Sequence, residues 1–360
     1  MVRYANKARK KRKRLVKESP VTYLPGKPQR SLKQSELGQF QTPNPVATLM
    51  ASMFTSREKE VRLLDAGAGA GALIQAFVET RCTTAPLPST IHVAAYELDP
   101  SLLAPLHQTL EQCRQVCLTA GIEFIAEVRN VDFIEAALSL VRGDVFHGSQ
   151  TPFNAAILNP PYHKINSSSR TRLLLRSAGI ETSNIYTGFL ALAAKLLCER
   201  GELVAITPRS FANGPYFRPF RSLFLKLMAL QRLHLFESRS AAFHQQNVLQ
   251  ENIILYALKS RTRPDCVVVS SSSGAPDAPV TKRQCAYSEV VSPDDPEQFI
   301  HFVSDDLQQN VRQMMSRFDT TLAKLGLEVS TGRVVDFRAR HHGTLRRRRN
   351  ACQNEMLQVG

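Results

Sequence analysis

Residues 155–164 read AAILNPPYHK: four apolar residues run into Asn159, and Pro160, Pro161 and Tyr162 follow. A strand ending this way sets two oxygen acceptors side by side, the Asn159 side-chain carbonyl and the Pro160 main-chain carbonyl. The consecutive prolines restrict the backbone that carries them. Such a pair suits an exocyclic amine like that of adenine. Its lone pair is delocalised into the ring, so the nitrogen is a poor nucleophile until both hydrogens meet fixed acceptors, and orientation of this kind is a large catalytic contribution. Tyr162 adds an aromatic face on which a base can stack, a contact worth roughly 1–3 kcal/mol. The tetrapeptide reads as a clamp that orients an amine.

Three upstream turns could hold a small molecule beside that clamp. LLDAGAGAGAL puts Asp65, Gly67, Gly69 and Gly71 between an apolar strand and a helical pattern, where glycines let the backbone turn sharply and approach a ligand. Nucleotide, flavin and adenosylmethionine binders share such loops. The third glycine comes one position earlier than in G-x-G-x-x-G, which argues against a pyrophosphate clamp. AAYELDP places Glu97 where a carboxylate can accept hydrogen bonds from ribose hydroxyls. NVDF supplies Asp132 and Phe133, an acceptor and an aromatic face suited to an adenine ring. Together the three turns outline a nucleoside pocket.

The elements that must position these residues follow from the apolar pattern. Short apolar runs at 61–67, 91–99, 123–133, 153–159 and 201–208 alternate with helical patterns, the rhythm of a doubly wound parallel α/β sheet. A ligand then belongs at the carboxyl ends of the parallel strands. Ile185, Phe189, Leu192, Ala193, Leu196 and Leu197 fall at helical spacing after a cap at Ser183 or Asn184 and before Gly201, so a helix with a mostly core-facing stripe links the fourth and fifth strands. QRLHLFES (231–238) and NIILYALK (252–259) read as an antiparallel edge pair beyond the fifth strand. The Ser- and Pro-rich composition near 270–279 marks a boundary. A helical stretch at 305–326 then leads to LEVSTGRVVDF, and there is no internal repeat.

Composition narrows the partners. Lys and Arg number 46 against 31 Asp and Glu, a net charge of +15, which favours a polyanion through counterion release. Nucleic acid is the first candidate and an anionic membrane surface the second. Much of the excess lies in Asn6–Arg14 and Arg346–Arg349, runs expected to be solvated tails. No apolar run approaches the roughly 18 residues of a membrane span, and the basic start lacks the apolar core of a signal peptide. The expectation is a soluble, cytoplasmic protein without a membrane partner. The seven cysteines form no C-x-x-C pair, so thiols are expected rather than zinc ligands or disulfides, and no metal is assigned.

At these motifs the chain resembles the gamma class of adenine-N6 DNA methyltransferases of bacterial restriction–modification systems, from about Leu37 to Lys259. LGQFQTP is similar to the family's first motif, and Phe40, Thr42 and Pro43 carry over to the methionine part of S-adenosyl-L-methionine; Gln41 stands where a second aromatic is frequent. The resemblance makes Asp65 cofactor-binding and assigns Gly67 and Gly69 to the cofactor's methionine portion, Glu97 to its ribose, and Asp132 and Phe133 to its adenine. It makes Asn159, Pro160, Pro161 and Tyr162 the catalytic clamp and Phe243 an aromatic packing on a flipped target base. It implies a Rossmann-like methyltransferase fold with a mostly parallel seven-stranded sheet, an antiparallel edge strand and a short C-terminal extension.

The expected organisation is a basic, disordered arm at 1–36, a catalytic domain at 37–270, a linker with a helix at 271–327, and the start of a target-recognition region at 328–360. The family-like pattern ceases near Arg338, so the chain is expected to be truncated there or read out of frame. The implied activity is methylation of the N6 amine of a flipped adenine in duplex DNA, with a recognition subunit or cognate restriction enzyme as further partners. The alternatives are a defective protein that binds cofactor or DNA without turnover, or a glutamine or RNA methyltransferase using the same clamp.

Overall fold

The computed structural model describes residues 42–142, 152–236, 251–273 and 279–302, with isolated positions between 314 and 327. Phe40, Phe243, the arm at 1–36, the region at 328–360 and most of the helix expected at 305–326 lie outside the described residues.

Five strands run parallel: β1 (Glu60–Ala66), β2 (Thr90–Tyr96), β3 (Glu123–Arg129), β4 (Phe153–Leu158) and β5 (Leu197–Pro208). Apart from β3, their residues are buried along most of their length, as strands covered by helices on both faces must be. The helices that follow or cover them are α1 (Asn44–Ala51), α2 (Ala72–Thr83), α3 (Leu103–Thr119), α4 (Phe133–Arg142), α5 (Arg170–Ser177), α6 (Ile185–Leu196) and α7 (Arg218–Leu227). α6 buries residues all round its axis, Tyr186 to Ala194 without a break, and its first turn reaches the ligand edge of the sheet.

Beyond β5 the direction changes. β6 (Met228–Phe236) and β7 (Asn252–Lys259) pair antiparallel, with β7 inserted between β5 and β6. The sheet does not end there: β8 (Cys266–Ser272) joins β6 in parallel and β9 (Thr281–Ala286) pairs with β8, giving the order β3-β2-β1-β4-β5-β7-β6-β8-β9. Nine strands are therefore present among the described residues where seven were expected. The Ser-rich stretch that reads as a boundary is a strand, because Ser270 and Ser272, two apart and on one face, hydrogen-bond the ring nitrogens of buried His234 at 3.0 Å each. The boundary expected at 270 falls inside β8, and the unit that holds the sheet runs to Phe302.

Residues 295–302, expected as linker, belong to this unit. Arg221, fully buried on α7, donates to the carbonyls of Phe211, Gly214 and Glu297. Ile300 donates its amide to Ala212 at 3.0 Å. The chain leaving β5 is thereby tied to a segment almost ninety residues further on. No helix among the described residues is long and apolar enough to cross a membrane.

Candidate functional site

Parallel strands deliver their following residues to one edge, and register decides which of them meet. Ala66 pairs with Tyr96 and Tyr96 with Arg129, so the turns beginning at Gly67, Glu97 and Asn130 stand side by side. Asn159 leaves β4 on the other side of β1 at the same edge. Together they enclose a cavity of about 290 Å³ lined by Thr42, Gly67, Gly69, Glu97, Asp132, Phe133, Asn159 and Pro161, among others.

The glycine loop is held by its neighbours rather than by itself. Gly67 and Ala68 both donate to the Tyr96 carbonyl, at 2.8 and 2.9 Å. Gly69 donates to Glu97 Oε2 at 2.8 Å, and Glu97 Oε1 accepts from the Asp99 amide at 2.7 Å. A buried carboxylate thus fixes two turns at once. Gly67 has φ +81°, and a Cβ there would meet the Asn159 carbonyl oxygen at 3.9 Å and Pro161 at 4.0 Å, so its positive φ rather than crowding requires glycine. At Gly71, φ +88°, a Cβ would meet Leu106 and Thr109 at 3.0 Å; here close packing of α2 on α3 adds a second reason.

Asp65 is different. It is fully buried at the end of β1, neither carboxylate oxygen has a hydrogen-bond partner, and it does not line the cavity. Burial, and then the nearby Glu97, push its pKa well above the ordinary carboxylate range, because taking a charge out of water without a partner is costly.

The far wall is apolar. Phe133 is nearly buried, its ring 5.2 Å from Tyr96 and 5.0 Å from Phe189, while Asp132 caps α4 by accepting from the Ile134 amide at 2.7 Å. Leu98 and Val131, each about half exposed, line the cavity together with Ile185 and Phe189. None of these four was singled out as a site residue from the sequence. Ile185 and Phe189 were hidden in a helical stripe that reads as core, and Leu98 and Val131 follow strand ends with no motif of their own. Their place on the cavity wall is the signal, since apolar side chains of that size facing a pocket suit the faces of a flat ring.

The clamp residues meet at the other end of the cavity. Asn159 Nδ2 donates to Thr42 Oγ1 at 3.0 Å, and the Tyr162 hydroxyl donates to Asn159 Oδ1 at 2.8 Å while lying 3.1 Å from the Ile206 carbonyl. Tyr162 packs edge-on against Tyr186, ring centroids 6.0 Å apart. Thr42 and Asn159, 117 positions apart in the chain, are thus joined by one hydrogen bond. Pro43 stands at the N-terminal cap of α1, whose Val46, Ala47, Met50 and Ala51 are buried; Pro43 does not line the cavity.

A nine-stranded sheet wound 3-2-1-4-5-7-6 over its first seven strands, with a glycine loop after β1 and a carboxylate after β2, is the fold of the S-adenosylmethionine-dependent methyltransferases. Its likeness to the type IIG restriction endonuclease BpuSI, TM-score 0.52 at 15% identity over 71% of this chain and 32% of that one, shows that fold alone. Sequence narrows the class. Residues 108–243 match the Eco57I restriction-modification methylase family. The chain is 40% identical over 309 residues to the Type II methyltransferase M.PstI of Providencia stuartii and 38% identical over 312 residues to M.BsuBI of Bacillus subtilis, in each case covering 86% of this chain and 60% of the relative. The chain is thus similar to restriction–modification DNA methyltransferases, and spans about 60% of the length of the two relatives.

Proposed function

We propose that this chain transfers a methyl group from S-adenosyl-L-methionine to the N6 amine of adenine in duplex DNA, in the manner of the gamma class. The observation that carries the reading is the position of Asn159 at the end of β4, on the wall of a cavity that Glu97, Asp132 and five apolar side chains suit to an adenosine. When bound, S-adenosylmethionine supplies an electrophilic methyl group. Thr42, Gly67 and Gly69 would face its amino-acid end, Glu97 its ribose, and Leu98, Val131, Phe133, Ile185 and Phe189 its adenine, with Asp132 as a polar acceptor beside that ring.

The chain's own part is orientation. The Asn159 carboxamide oxygen and the Pro160 carbonyl accept the two hydrogens of the target amine and leave its lone pair directed at the cavity. A carboxamide oxygen can accept two hydrogen bonds, so the Tyr162 hydroxyl steers Oδ1 without excluding an amine. Tyr162 borders the space in which a base would be held. An adenine inside a duplex cannot reach this cavity, so the base must leave the stack, at a cost of a few kcal/mol offset by pocket contacts. The basic residues of the chain supply sequence-independent phosphate contacts.

Radiolabelled methyl incorporation from S-adenosylmethionine into genomic DNA, followed by base analysis, tests the proposal. N6-methyladenine is the expected product. Label in cytosine, or in protein glutamine but not in DNA, would sink it.

A further inference from the structure

A carboxamide has two unlike ends, and a half-turn about its terminal bond exchanges an acceptor for a donor. For an amine clamp that exchange is fatal, because N–H groups would then face N–H groups. Something must hold Asn159 the right way round. In the structure its nitrogen end is taken by Thr42 Oγ1 at 3.0 Å, and its oxygen end lies on the Tyr162 side.

We infer that Thr42 is a positioning residue for the transfer step: its hydroxyl holds the nitrogen of Asn159 away from the target amine and so presents the oxygen. This rests on the amine-clamp reading above. Thr42 is suited to the task because its own place is fixed. It is about nine-tenths buried, it precedes Pro43, whose carbonyl accepts from the Ala47 amide at 3.0 Å to open α1, and α1 is anchored in the core by its four buried residues. A hydroxyl mounted on a rigid element orders a partner with little further entropy loss. Thr42 also lines the cavity, so the wall that a ligand would touch and the support of the clamp are the same side chain.

Thr42→Val deletes the acceptor at constant shape, and Thr42→Ser keeps it. In single-turnover methyl transfer to genomic DNA at saturating S-adenosylmethionine, Thr42→Val is expected to lower the rate by about 10- to 100-fold, beyond any weakening of cofactor binding. Thr42→Ser is expected to restore most of the rate. A Thr42→Val protein as fast as wild type, or slowed only in proportion to weakened cofactor binding, would overturn the inference. A second measurement needs no turnover. In protein labelled with ¹⁵N at asparagine, the side-chain amide signals of Asn159, identified by their loss in Asn159→Asp, should shift in Thr42→Val and hold their place in Thr42→Ser. Unmoved signals in Thr42→Val overturn the inference even if wild-type protein methylates no DNA, an outcome that by itself removes only the functional reading.

Discussion

His234 and Asp65, one in each half of the sheet, are buried under opposite rules. In the antiparallel half, His234 is fully buried and both ring nitrogens are satisfied by serine hydroxyls; Arg221, also fully buried, donates to three backbone carbonyls, while its Nη2 has no hydrogen-bond partner. In the parallel half, Asp65 is fully buried with neither oxygen satisfied, a few residues from the glycine loop. Satisfied burial specifies a fold, because each group would be costly anywhere else. Unsatisfied burial costs stability, and chains tolerate such a cost mainly where function requires it. The contrast separates a residue that supports the sheet from one set beside the site.

Four experiments test that contrast and the site beside it. The largest effect belongs to the site. Asn159→Ala should reduce methyl transfer by about 100- to 1,000-fold, the range for losing one positioned hydrogen-bonding group at a reacting centre. Because Asn159 is only partly buried, Tm should move by no more than a few degrees; a large loss of Tm would turn it into a structural residue.

His234 tests the supporting residue through pH. Burial, and then the Arg232 charge, lower its pKa from 6.5 to about 4. The unfolded chain therefore binds the proton first. The stability that neutral His234 contributes is present above pH 6.5 and is lost as pH falls from there through 4. At 1.36 kcal/mol per pKa unit the loss is at most about 3 kcal/mol. Urea midpoints measured between pH 7 and 4 should fall more steeply for wild type than for His234→Leu, with cofactor affinity at pH 7 alike in both. Equal slopes would refute the assignment.

Glu97 joins the two rules, being buried, satisfied and on the cavity wall. In Glu97→Gln an amide N–H₂ must face the Gly69 or the Asp99 N–H, at about 1–3 kcal/mol for the group left unpaired. Both Tm and calorimetric affinity for S-adenosylmethionine should drop. A loss confined to Tm would remove Glu97 from the ligand site.

The smallest effect has the most telling sign. Asp65 has a raised pKa, so its ionisation opposes folding above about pH 3.8. Asp65→Asn should raise Tm by a few degrees at pH 7, and the two proteins should converge near pH 4. The same variant should bind S-adenosylmethionine less tightly. Higher stability with unchanged binding would mean that the cost is not kept for the ligand.

Much of this was legible from residue order. The parallel strands were visible because strands buried on both faces need mostly apolar runs, as in HVAAY and AAIL, and the four turns that follow β1 to β4 carry residue types that mark a strand's carboxyl edge. β8 and β9 were not legible. VVVSSS looks like a strand dissolving into a linker until His234 is placed opposite Ser270 and Ser272, and that pairing spans 36 and 38 residues. Ile185 and Phe189 were read as core because a helical stripe does not say which of its turns overhangs a pocket.

The sequence alone determined the local chemistry: which backbone positions accept a left-handed turn, where a proline pair stops a strand, which side chains can accept a proton or a hydrogen bond. These are properties of a few consecutive residues. Only the tertiary structure decided that Thr42 meets Asn159, that Glu97 holds the glycine loop, and that Asp65 is left without a partner. Those contacts depend on strand register and helix packing, which sum over the whole sheet and are written in no single segment.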